Sequence, residues 1–261
     1  MSTLNHLLTD QSGGNCSARH NPTIAETING GADAETLTGG NGDDVIDGNG
    51  GADLMIGGNG RDLLIWDPGD GSDILDGGNG VDTHLFNTSG GAEVINLFAQ
   101  GEAAILTRSL GGITMRIDDV ERVVIGPGGG DDKITVGDLR GTDVRQVSAE
   151  GGAGADTLDA SAFAGPHHLS LSGGDGFDRF VFSAGADNGV DVVDFQAHAG
   201  AADGDVIQLL GVSDASFAEA LANHHLVQAG SDIMILDASG IVATLRDVSL
   251  ASLSAADFLF G

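Results

Sequence analysis

Cysteine is almost absent from this chain of 261 residues. Cys16 is the single cysteine, so no disulfide can form within the chain. An extracellular protein without disulfides needs another stabilising element, and bound metal is the main alternative. Cys16 lies in a polar segment without a nearby base, which argues against a catalytic thiol.

Positive charge is also scarce. The sequence has 10 lysine and arginine residues against 39 aspartate and glutamate residues, which gives a formal net charge of −29. This charge excludes a nucleic-acid-binding protein, and an anionic membrane surface would repel the chain. Hydrophobic residues nevertheless make up 41% of the sequence, enough for a core once the negative charge is neutralised. Divalent cations are the obvious agent of neutralisation.

Long hydrophobic runs and familiar catalytic motifs are missing as well. The first residues have neither a basic segment nor a long apolar one, so no Sec signal peptide is visible. No run approaches the ~20 apolar residues that a membrane helix needs. The HExxH, GxSxG, P-loop and Rossmann motifs do not occur. We therefore expect a chain without enzymatic activity.

Histidine occurs in two adjacent pairs, His167-His168 and His224-His225. Neighbouring residues on a strand point to opposite faces of the sheet, so a pair on a strand cannot place both rings in one site. We expect surface histidines here rather than a transition-metal site.

Glycine, in contrast, occurs 44 times, and much of it is arranged in a repeat. Between Gly39 and Leu85 a nine-residue unit recurs with aspartate at its sixth position, and the period survives the insertion Trp66-Asp67. A fixed short period indicates a solenoid. The units are GGNGDDVID (39–47), GNGGADLMI (48–56), GGNGRDLLI (57–65), PGDGSDILD (68–76) and GGNGVDTHL (77–85). Further copies are PGGGDDKIT (127–135), GGAGADTLD (151–159) and GGDGFDRFV (173–181), and GGADAETLT (30–38) is a degenerate opening unit with Glu35 in sixth place.

This Gly-rich loop with its aspartate resembles the hemolysin-type repeat of the RTX (repeats-in-toxin) family of secreted bacterial calcium-binding proteins. The resemblance implies an all-β fold, a right-handed parallel β-roll with a β-rich C-terminal flank that caps it. It also implies export through a type I secretion system, with the chain located outside the cell.

Stacking of the units would bring their aspartates together. Nine residues make half a turn of such a roll, so units two apart lie on the same side, about 4.8 Å from each other. We expect Asp44, Asp62 and Asp82 to line one edge, and Asp53 and Asp73 to line the other.

Calcium is the ion that these loops suit. It takes six to eight oxygen ligands, and glycine-rich backbone can aim several carbonyl groups at one point while the aspartate adds a charged oxygen. Several Ca²⁺ ions are therefore the predicted cofactor. The predicted metal ligands are Gly39, Asn41, Asp44, Gly48, Gly50, Asp53, Gly57, Asn59, Asp62, Asp70, Asp73, Gly77, Asn79, Asp82, Asp132, Gly151, Ala153, Asp156, Gly173, Asp175 and Asp178.

The eighth position of the unit predicts the core. It is apolar in most copies, and inward-pointing side chains there would form a thin aliphatic ladder. His84 is the exception, so we expect the roll to end or to change register at the unit 77–85. The apolar eighth residues are Ile46, Met55, Leu64, Leu75, Leu158 and Phe180.

Composition divides the chain into five predicted regions. These are a flexible leader (1–29), the roll (30–87), a β insertion or a flank that continues the stack (88–125), a second RTX-like segment (126–182) and a C-terminal capping and secretion region (183–261). The last region predicts several strands, a hairpin turn at 238–240 and one short helix, in which Ser216 and Glu219 are spaced as a capping box.

Two features of the C-terminal region leave alternatives open. Asp191, Asp194, Asp203 and Asp205 are either ligands of an additional calcium ion or solvated turn carboxylates. Residues 257–260, an aspartate followed by bulky apolar residues, resemble the terminal element of type I secretion signals and also suit a final edge strand.

We therefore predict a secreted, non-enzymatic calcium-binding protein whose roll folds on binding Ca²⁺ outside the cell, with a structural or interaction role. Its predicted partners are calcium ions and the type I secretion machinery. One alternative is the secretion and folding module of an RTX hydrolase, such as a metalloprotease, without its catalytic domain. Another is an effector or adhesin that contacts host cells.

Overall fold

The computed structural model describes most of the chain and divides it into two compact units. Cys16 and Asp203 lie outside the described residues, and so do the sites predicted for them. The described residues are 7–9, 24–126, 128–165, 167–185, 189–198 and 204–261. The first unit comprises residues 1–88, 99–125 and 141–145, and the second comprises residues 89–98, 126–140 and 146–261.

Strands dominate the described residues, with one α-helix, α1 (Phe217–Ala222), and three single-turn 3-10 helices (Leu110–Gly112, Leu250–Ser252 and Ala255–Asp257). Among them no helix is long and apolar enough to cross a membrane. The strands are β1 (Leu7–Thr9), β2 (Thr27–Asn29), β3 (Thr36–Asn41), β4 (Val45–Asp47), β5 (Leu54–Gly60), β6 (Leu63–Trp66), β7 (Ile74–Gly80), β8 (Thr83–Phe86), β9 (Val94–Gln100), β10 (Ala103–Arg108), β11 (Ile113–Asp118), β12 (Arg122–Ile125), β13 (Gly128–Gly129), β14 (Lys133–Val136), β15 (Gln146–Ala153), β16 (Thr157–Asp159), β17 (His168–Asp175), β18 (Arg179–Ser183), β19 (Val190–Val192), β20 (Val206–Leu210), β21 (Leu226–Ala229), β22 (Asp232–Asp237), β23 (Gly240–Leu245) and β24 (Phe258–Phe260).

The first unit is a parallel β-roll, as the repeat predicts. Successive strands alternate between two sheets, one with the parallel order β1-β2-β4-β6-β8-β12 and the other with the parallel order β3-β5-β7-β11. Val45 pairs with Leu63, eighteen residues later, and Leu63 pairs with Thr83, twenty residues later, because of the insertion Trp66-Asp67. Strand β2, predicted to lie in the leader, is part of this stack.

The second unit repeats the architecture and adds the flank. One sheet runs β9-β14-β16-β18-β20-β24, all parallel. The other begins with the parallel strands β15, β17, β19 and β23 and continues antiparallel through β22 and β21, while the short β13 also pairs with β15. The fold is therefore all-β, with parallel rolls and a β-rich C-terminal flank. The five predicted region boundaries stay predictions.

The core consists of the eighth residues of the repeat. In each half-turn the strand residues alternate between the interior and the outer face, so one side chain in two points inward. All six apolar eighth residues predicted to point inward are fully buried. The aliphatic ladder predicted from the sequence is confirmed.

The prediction that the roll changes register at His84 was wrong. Strand β8 pairs with β6 in unbroken register, with His84 opposite Leu64, and the sheet continues into β12 with Val123 opposite His84. The His84 ring is fully buried and its Nδ1 lies 3.1 Å from the Leu64 carbonyl oxygen. Burial lowers the pKa of His84 to about 4, so the ring is neutral and acts as a core residue.

The two-residue insertion builds a second apolar layer next to this histidine. The rings of Trp66 and Phe86 stack with centroids 4.3 Å apart and planes 8° apart, and the Arg108 guanidinium lies 5.2 Å from the Trp66 ring centroid. Phe86 lies opposite Trp66 in the next rung, and the Asn87 side chain donates to Asp67 at 2.6 Å. The inserted residues Trp66-Asp67 are therefore matched by Phe86-Asn87, which preserves the register of the stack.

Segment 88–125 continues the stack rather than interrupting it. Strands β11 and β12 extend the two sheets of the first unit in parallel, and β10 adds an antiparallel edge to β11. The choice between an insertion and a flank for the whole segment stays a prediction.

The predicted elements of the C-terminal region are present. Strands β22 and β23 form the hairpin, with Asp237 paired to Gly240 across the two-residue turn. Ser216 caps helix α1 by accepting from the Glu219 N–H at 3.3 Å, but the Glu219 carboxylate accepts from the Ala215 N–H, so the capping box is only half formed. Strand β24 pairs with β20, as the edge-strand alternative for residues 257–260 requires.

The burial pattern predicts a large difference between two neighbouring substitutions. Leu75 is fully buried at an eighth position, whereas the adjacent Ile74 is 46% exposed on the outer face of the same strand. In saturating calcium, Leu75→Ala should lower the free energy of unfolding by about 2–4 kcal/mol, because it opens a cavity in a core one side chain thick. Ile74→Ala should cost less than about 1 kcal/mol. Urea unfolding monitored by circular dichroism measures both, and equal losses would contradict the assignment of the inner face.

Candidate metal centre

The sixth residues of the first unit form two hydrogen-bonded ladders. The Asp44 N–H donates to Asp62 Oδ1 at 2.8 Å, and the Asp62 N–H donates to Asp82 Oδ1 at 2.8 Å. On the other edge, the Asp53 N–H donates to Asp73 Oδ1 at 2.8 Å. The structure therefore brings the aspartates together on the two edges that the period predicts.

The second unit has one ladder of the same kind. Asp132 Oδ1 accepts from the Glu93 N–H at 2.7 Å, Asp156 Oδ1 from the Asp132 N–H at 2.7 Å, and Asp178 Oδ1 from the Asp156 N–H at 2.9 Å. The Asp178 N–H then donates to Asp205 Oδ1 at 3.0 Å. Three repeat copies that stand apart in the sequence are therefore consecutive rungs in space.

Glycine at the first position of most loops makes room for the carboxylate. A Cβ atom on Gly57 would lie 2.5 Å from Asp62 Oδ2 and 2.6 Å from the Gly77 carbonyl oxygen above it. At the fourth position, Gly60 has φ of 147° and a Cβ there would lie 1.9 Å from the Gly42 carbonyl oxygen. Side chains at either position would separate the stacked loops, which explains why the repeat is rich in glycine.

The second carboxylate oxygen of these aspartates is the feature that points to a ligand. Oδ1 is used by the neighbouring rung, while Oδ2 is buried against the first glycine of its own loop. A buried polar atom without a partner costs about 1–3 kcal/mol, and more when it is charged. Together these oxygens would cancel much of the ~5–15 kcal/mol stability of an ordinary domain. Among the described residues, the buried Oδ2 atoms without a hydrogen-bond partner include those of Asp53, Asp62, Asp73, Asp82, Asp156 and Asp178.

Burial changes the acidity of the same groups. It raises the pKa of Asp62, Asp73, Asp82 and Asp132 to about 6, with neighbouring carboxylates adding to the shift. Burial raises the pKa of Asp178 to about 7. Because the ordinary value is 3.8, the charged form is disfavoured in the folded chain without a cation. A divalent cation at the loops would reverse this effect by stabilising the charged form.

A hard cation bound through oxygen fits this donor set. In the described part of the chain, no three His, Cys, Asp or Glu side chains form a group that could hold a metal ion by themselves. Backbone carbonyl groups must therefore supply most of the oxygens, as a calcium site of six to eight ligands allows. A softer metal would need nitrogen or sulfur ligands, which the loops do not offer.

The other predicted ligands divide into an inner and an outer set. The first-position residues are buried beside the aspartate, whereas the third-position residues are half-buried or exposed. Side chains of the outer asparagines are used by each other: Asn59 donates to Asn41 at 2.6 Å and Asn79 donates to Asn59 at 3.0 Å. The inner set is Gly39, Gly48, Gly57, Gly77, Gly151 and Gly173, and the outer set is Asn41, Gly50, Asn59, Asn79, Ala153 and Asp175.

Asp70 differs from the other predicted ligands because it is not part of a ladder. Its Oδ2 accepts from the Asp67 N–H at 2.6 Å, within the turn that follows Trp66. The Trp66 indole donates to the Gly71 carbonyl oxygen at 2.8 Å and holds the same turn. Burial raises the pKa of Asp70 to about 6, so this carboxylate shares the electrostatic environment of the loops without sharing their hydrogen bonds.

The structure adds rung residues that the glycine-rich motif does not reveal. Glu26, Glu93, Glu121 and Asp205 occupy the sixth position of half-turns that lack the full glycine pattern of the repeat. Glu26 donates its N–H to Asp44 Oδ1 at 2.7 Å, and Glu121 Oε2 accepts the Asp82 N–H at 2.8 Å. An acidic residue two places before a buried aliphatic residue, as in AETIN (25–29) and AEVIN (92–96), is the sequence signal that identifies them.

The acidic residues of the C-terminal region are not solvated turn carboxylates. Asp205 is 1% exposed and ends the ladder of the second unit. Asp194 accepts from the backbone N–H groups of Gly173 and Gly174 at 3.0 and 2.8 Å, which holds the last glycine loop. Asp191 pairs with Arg246 at 2.6 Å. That alternative was wrong for these three residues.

The histidines do not form a metal site within the described residues. His167 is 5% exposed and packs edge-on against Phe163, so its prediction as a surface residue was wrong. Its neighbour His168 is on the surface, 3.6 Å from Asp191. His225 Nδ1 lies 2.5 Å from Asp214 in the loop before helix α1, where the pair has a structural role.

Comparison with known proteins agrees with the geometry of the loops. The model of the RTX calcium-binding nonapeptide repeat, which has four copies, matches residues 29–64 and 148–164. No curated protein matches the chain. Among solved structures, the extracellular lipase LipA from Serratia marcescens is similar at 17% identity and a TM-score of 0.29, over 94% of this chain. The chain spans 41% of the length of that lipase.

The raised pKa values predict that protons compete with calcium. A carboxyl group whose pKa is raised in the folded chain stabilises the cation-free roll only when it is protonated. This stabilisation is complete below pH 3.8 and is lost as the pH rises through about 6 to 7. Calcium needs the charged form. Its affinity should therefore fall by at least about tenfold between pH 7.5 and pH 5.5, with protons released on binding at the lower pH.

Isothermal titration calorimetry in two buffers of different ionisation enthalpy measures both the affinity and the number of protons released. An affinity that is equal at the two pH values, with no proton release, would rule out the buried carboxylates as ligands.

Proposed function

We propose that this RTX-repeat protein is secreted and non-enzymatic, and that its roll folds when calcium outside the cell binds the aspartate loops. Calcium binding itself follows from the repeats. The proposal adds the coupling to folding, the location and a structural or interaction role.

One observation carries the coupling to folding: the buried Oδ2 atoms that lack a partner. A ladder of charged carboxylates at strand spacing also repels itself, by about 3 kcal/mol for each adjacent pair at an effective dielectric constant of 20. Both costs appear when the roll closes, and a divalent cation at each loop removes both. Binding and folding should therefore be a single event.

Charge acts in the same direction before folding. With a net charge of −29 the unfolded chain resists collapse, and most of the acidic residues lie in or beside the repeats. Cations that bind the loops neutralise the charge where it is densest, which allows the thin core to form.

A calcium titration that starts from chelated protein tests the proposal. Far-ultraviolet circular dichroism should show little β-structure in chelator and a cooperative gain as calcium reaches the ~10⁻⁴–10⁻³ M range of extracellular sites. Magnesium should be much less effective, because it requires a tighter octahedral geometry. The same β content with and without calcium would contradict the proposal.

Two variants that remove the same charge sharpen this test. Asp62→Asn changes a mid-ladder carboxylate whose Oδ2 is buried, whereas Glu102→Gln changes an exposed residue of the β9–β10 turn in the same unit. The first should raise the calcium midpoint several-fold and lower the cooperativity of the transition. The second should leave both unchanged, and equal effects would assign the response to bulk charge rather than to the loops.

Export through a type I system is the part of the proposal that rests on the resemblance. A chain that stays unfolded at the low calcium concentration of the cytosol can pass through a narrow conduit, and external calcium would then fold it and prevent its return. The proposed signal is the C-terminal region, in which β24 pairs with β20 and Asp257 accepts from the His198 N–H at 2.7 Å. These contacts would form only after export.

A fusion experiment tests the location of the signal. Residues 183–261 attached to an unfolded passenger should carry it into the medium in a strain with a type I exporter, while the chain truncated at Ser249 should remain inside. If the passenger is retained and the truncated chain is exported, the signal lies elsewhere.

A further inference from the structure

Glu35 occupies the sixth position of a loop but is bonded differently from the aspartates. Its N–H donates to Asp53 Oδ1 at 2.8 Å, just as the Asp53 N–H donates to Asp73 Oδ1 in the next rung. Its own carboxylate turns back into the loop, where Oε2 accepts from the Gly31 N–H at 2.9 Å. Gly31 is the second residue of the same unit, so this glutamate closes its own loop.

Glu93 shows the same arrangement in the second unit. Its Oε1 accepts from the Ser89 N–H at 3.0 Å and also from the Ser89 hydroxyl group. Ser89 again lies four residues before the acidic residue, at the second position of the half-turn. Glu93 is 1% exposed, so this contact is part of the interior of the rung. Two independent loops therefore use glutamate in one way.

The extra methylene group accounts for the difference. An aspartate side chain is one methylene group shorter, and Oδ2 of residues such as Asp53, Asp62 and Asp156 is buried without a hydrogen-bond partner in the described part of the chain. In the glutamate loops the carboxylate reaches the backbone N–H. A loop that turns an N–H group towards the carboxylate presents positive rather than negative backbone dipoles at that point, which suits an anionic side chain and repels a cation.

At the other end of the ladder in the second unit, protein groups also hydrogen-bond the terminal carboxylate. Asp205 Oδ1 accepts from the Asp178 N–H, and its Oδ2 accepts from the Gln196 N–H at 2.7 Å. Gln196 also donates its side-chain amide to the Gly174 carbonyl oxygen at 3.2 Å. Both oxygens of this terminal aspartate are therefore bonded, in contrast to Asp156 and Asp178 below it.

We propose that the Glu35 and Glu93 loops are rungs that fold without calcium, in which the glutamate carboxylate takes the place of the ion. This inference rests on the proposed function, because it divides the loops into those that bind calcium and those that do not. The ladder that contains Asp53 and the ladder of the second unit would then each start from a metal-free rung, whose N–H donates to the first aspartate.

The chain itself supplies the template for a test. Loop 30–35 reads GGADAE and loop 151–156 reads GGAGAD, so the double substitution Asp33→Gly and Glu35→Asp makes the first identical to the second. In the full chain, this variant should bind one calcium ion more than the unaltered protein. Equilibrium dialysis with radioactive calcium at saturation measures the number of ions per chain.

Two single variants complete the experiment. Asp33→Gly alone keeps the glutamate and should leave the number of ions unchanged. Glu35→Gln keeps the length and the acceptor oxygen, and should also leave it unchanged. A folded double variant with no additional ion would overturn the proposal, and so would the loss of one ion in Glu35→Gln. If the double variant does not fold, Glu35→Gln alone decides.

The result also separates this inference from the proposed function. Failure of the unaltered protein to bind calcium would remove the proposed function before any variant is made. Calcium-dependent folding of the unaltered protein together with an unchanged ion count in the double variant would remove only the inference about the glutamate rungs.

Discussion

Each aspartate rung of this protein depends on one carboxylate whose two oxygen atoms have different surroundings. Asp62 illustrates it: Oδ1 accepts from the backbone of the rung below at 2.8 Å, and Oδ2 is buried in its own loop without a partner. The first contact aligns the stack, and the second atom leaves the stack incomplete until a cation arrives. The same group therefore sets the register of the roll and, in the proposed function, makes the roll depend on calcium.

The remaining features of the repeat follow from placing that carboxylate inside a thin fold. Glycine is needed at the fourth position, and at the first position of most loops, because a side chain would collide with the carboxylate or with the neighbouring loop. Only every second strand residue points into the core, so the burial of apolar side chains stabilises each rung little. This small stabilisation cannot offset a buried charge that is not neutralised. In the proposed function, calcium is thus a structural component of the fold rather than an accessory to it.

The period and the chemistry of the loops could be predicted from the sequence because they are local. A nine-residue unit with an apolar eighth position gives the strand, the inner face and the two edges, and Leu75 and Asp62 lie where the period places them. Local patterns fail where another part of the chain determines the outcome. His84 looked like an interruption, but the Leu64 carbonyl oxygen and the Trp66–Phe86 stack accommodate it without a shift of register.

Rungs that depart from the glycine motif were the other failure. Glu121 lies in a half-turn without those glycines, and Glu93 lies in one where serine replaces the second glycine, so a search for the motif passes over both. The sequence leaves Asp205 open as either a calcium ligand or a solvated turn carboxylate, since its partners Asp178 and Gln196 are distant or inconspicuous in the sequence. These rungs retain an acidic residue that is followed, two places later, by a buried aliphatic residue.

The position of the ions is the most direct test of the account. In crystals grown with calcium, anomalous scattering locates each ion independently of the chemical interpretation. We predict ions bonded to Oδ2 of Asp62 and Asp156 at roughly 2.3–2.6 Å, with backbone carbonyl groups of the stacked loops completing the coordination. Ions found only on exposed carboxylates, with these Oδ2 atoms bonded to water, would contradict it.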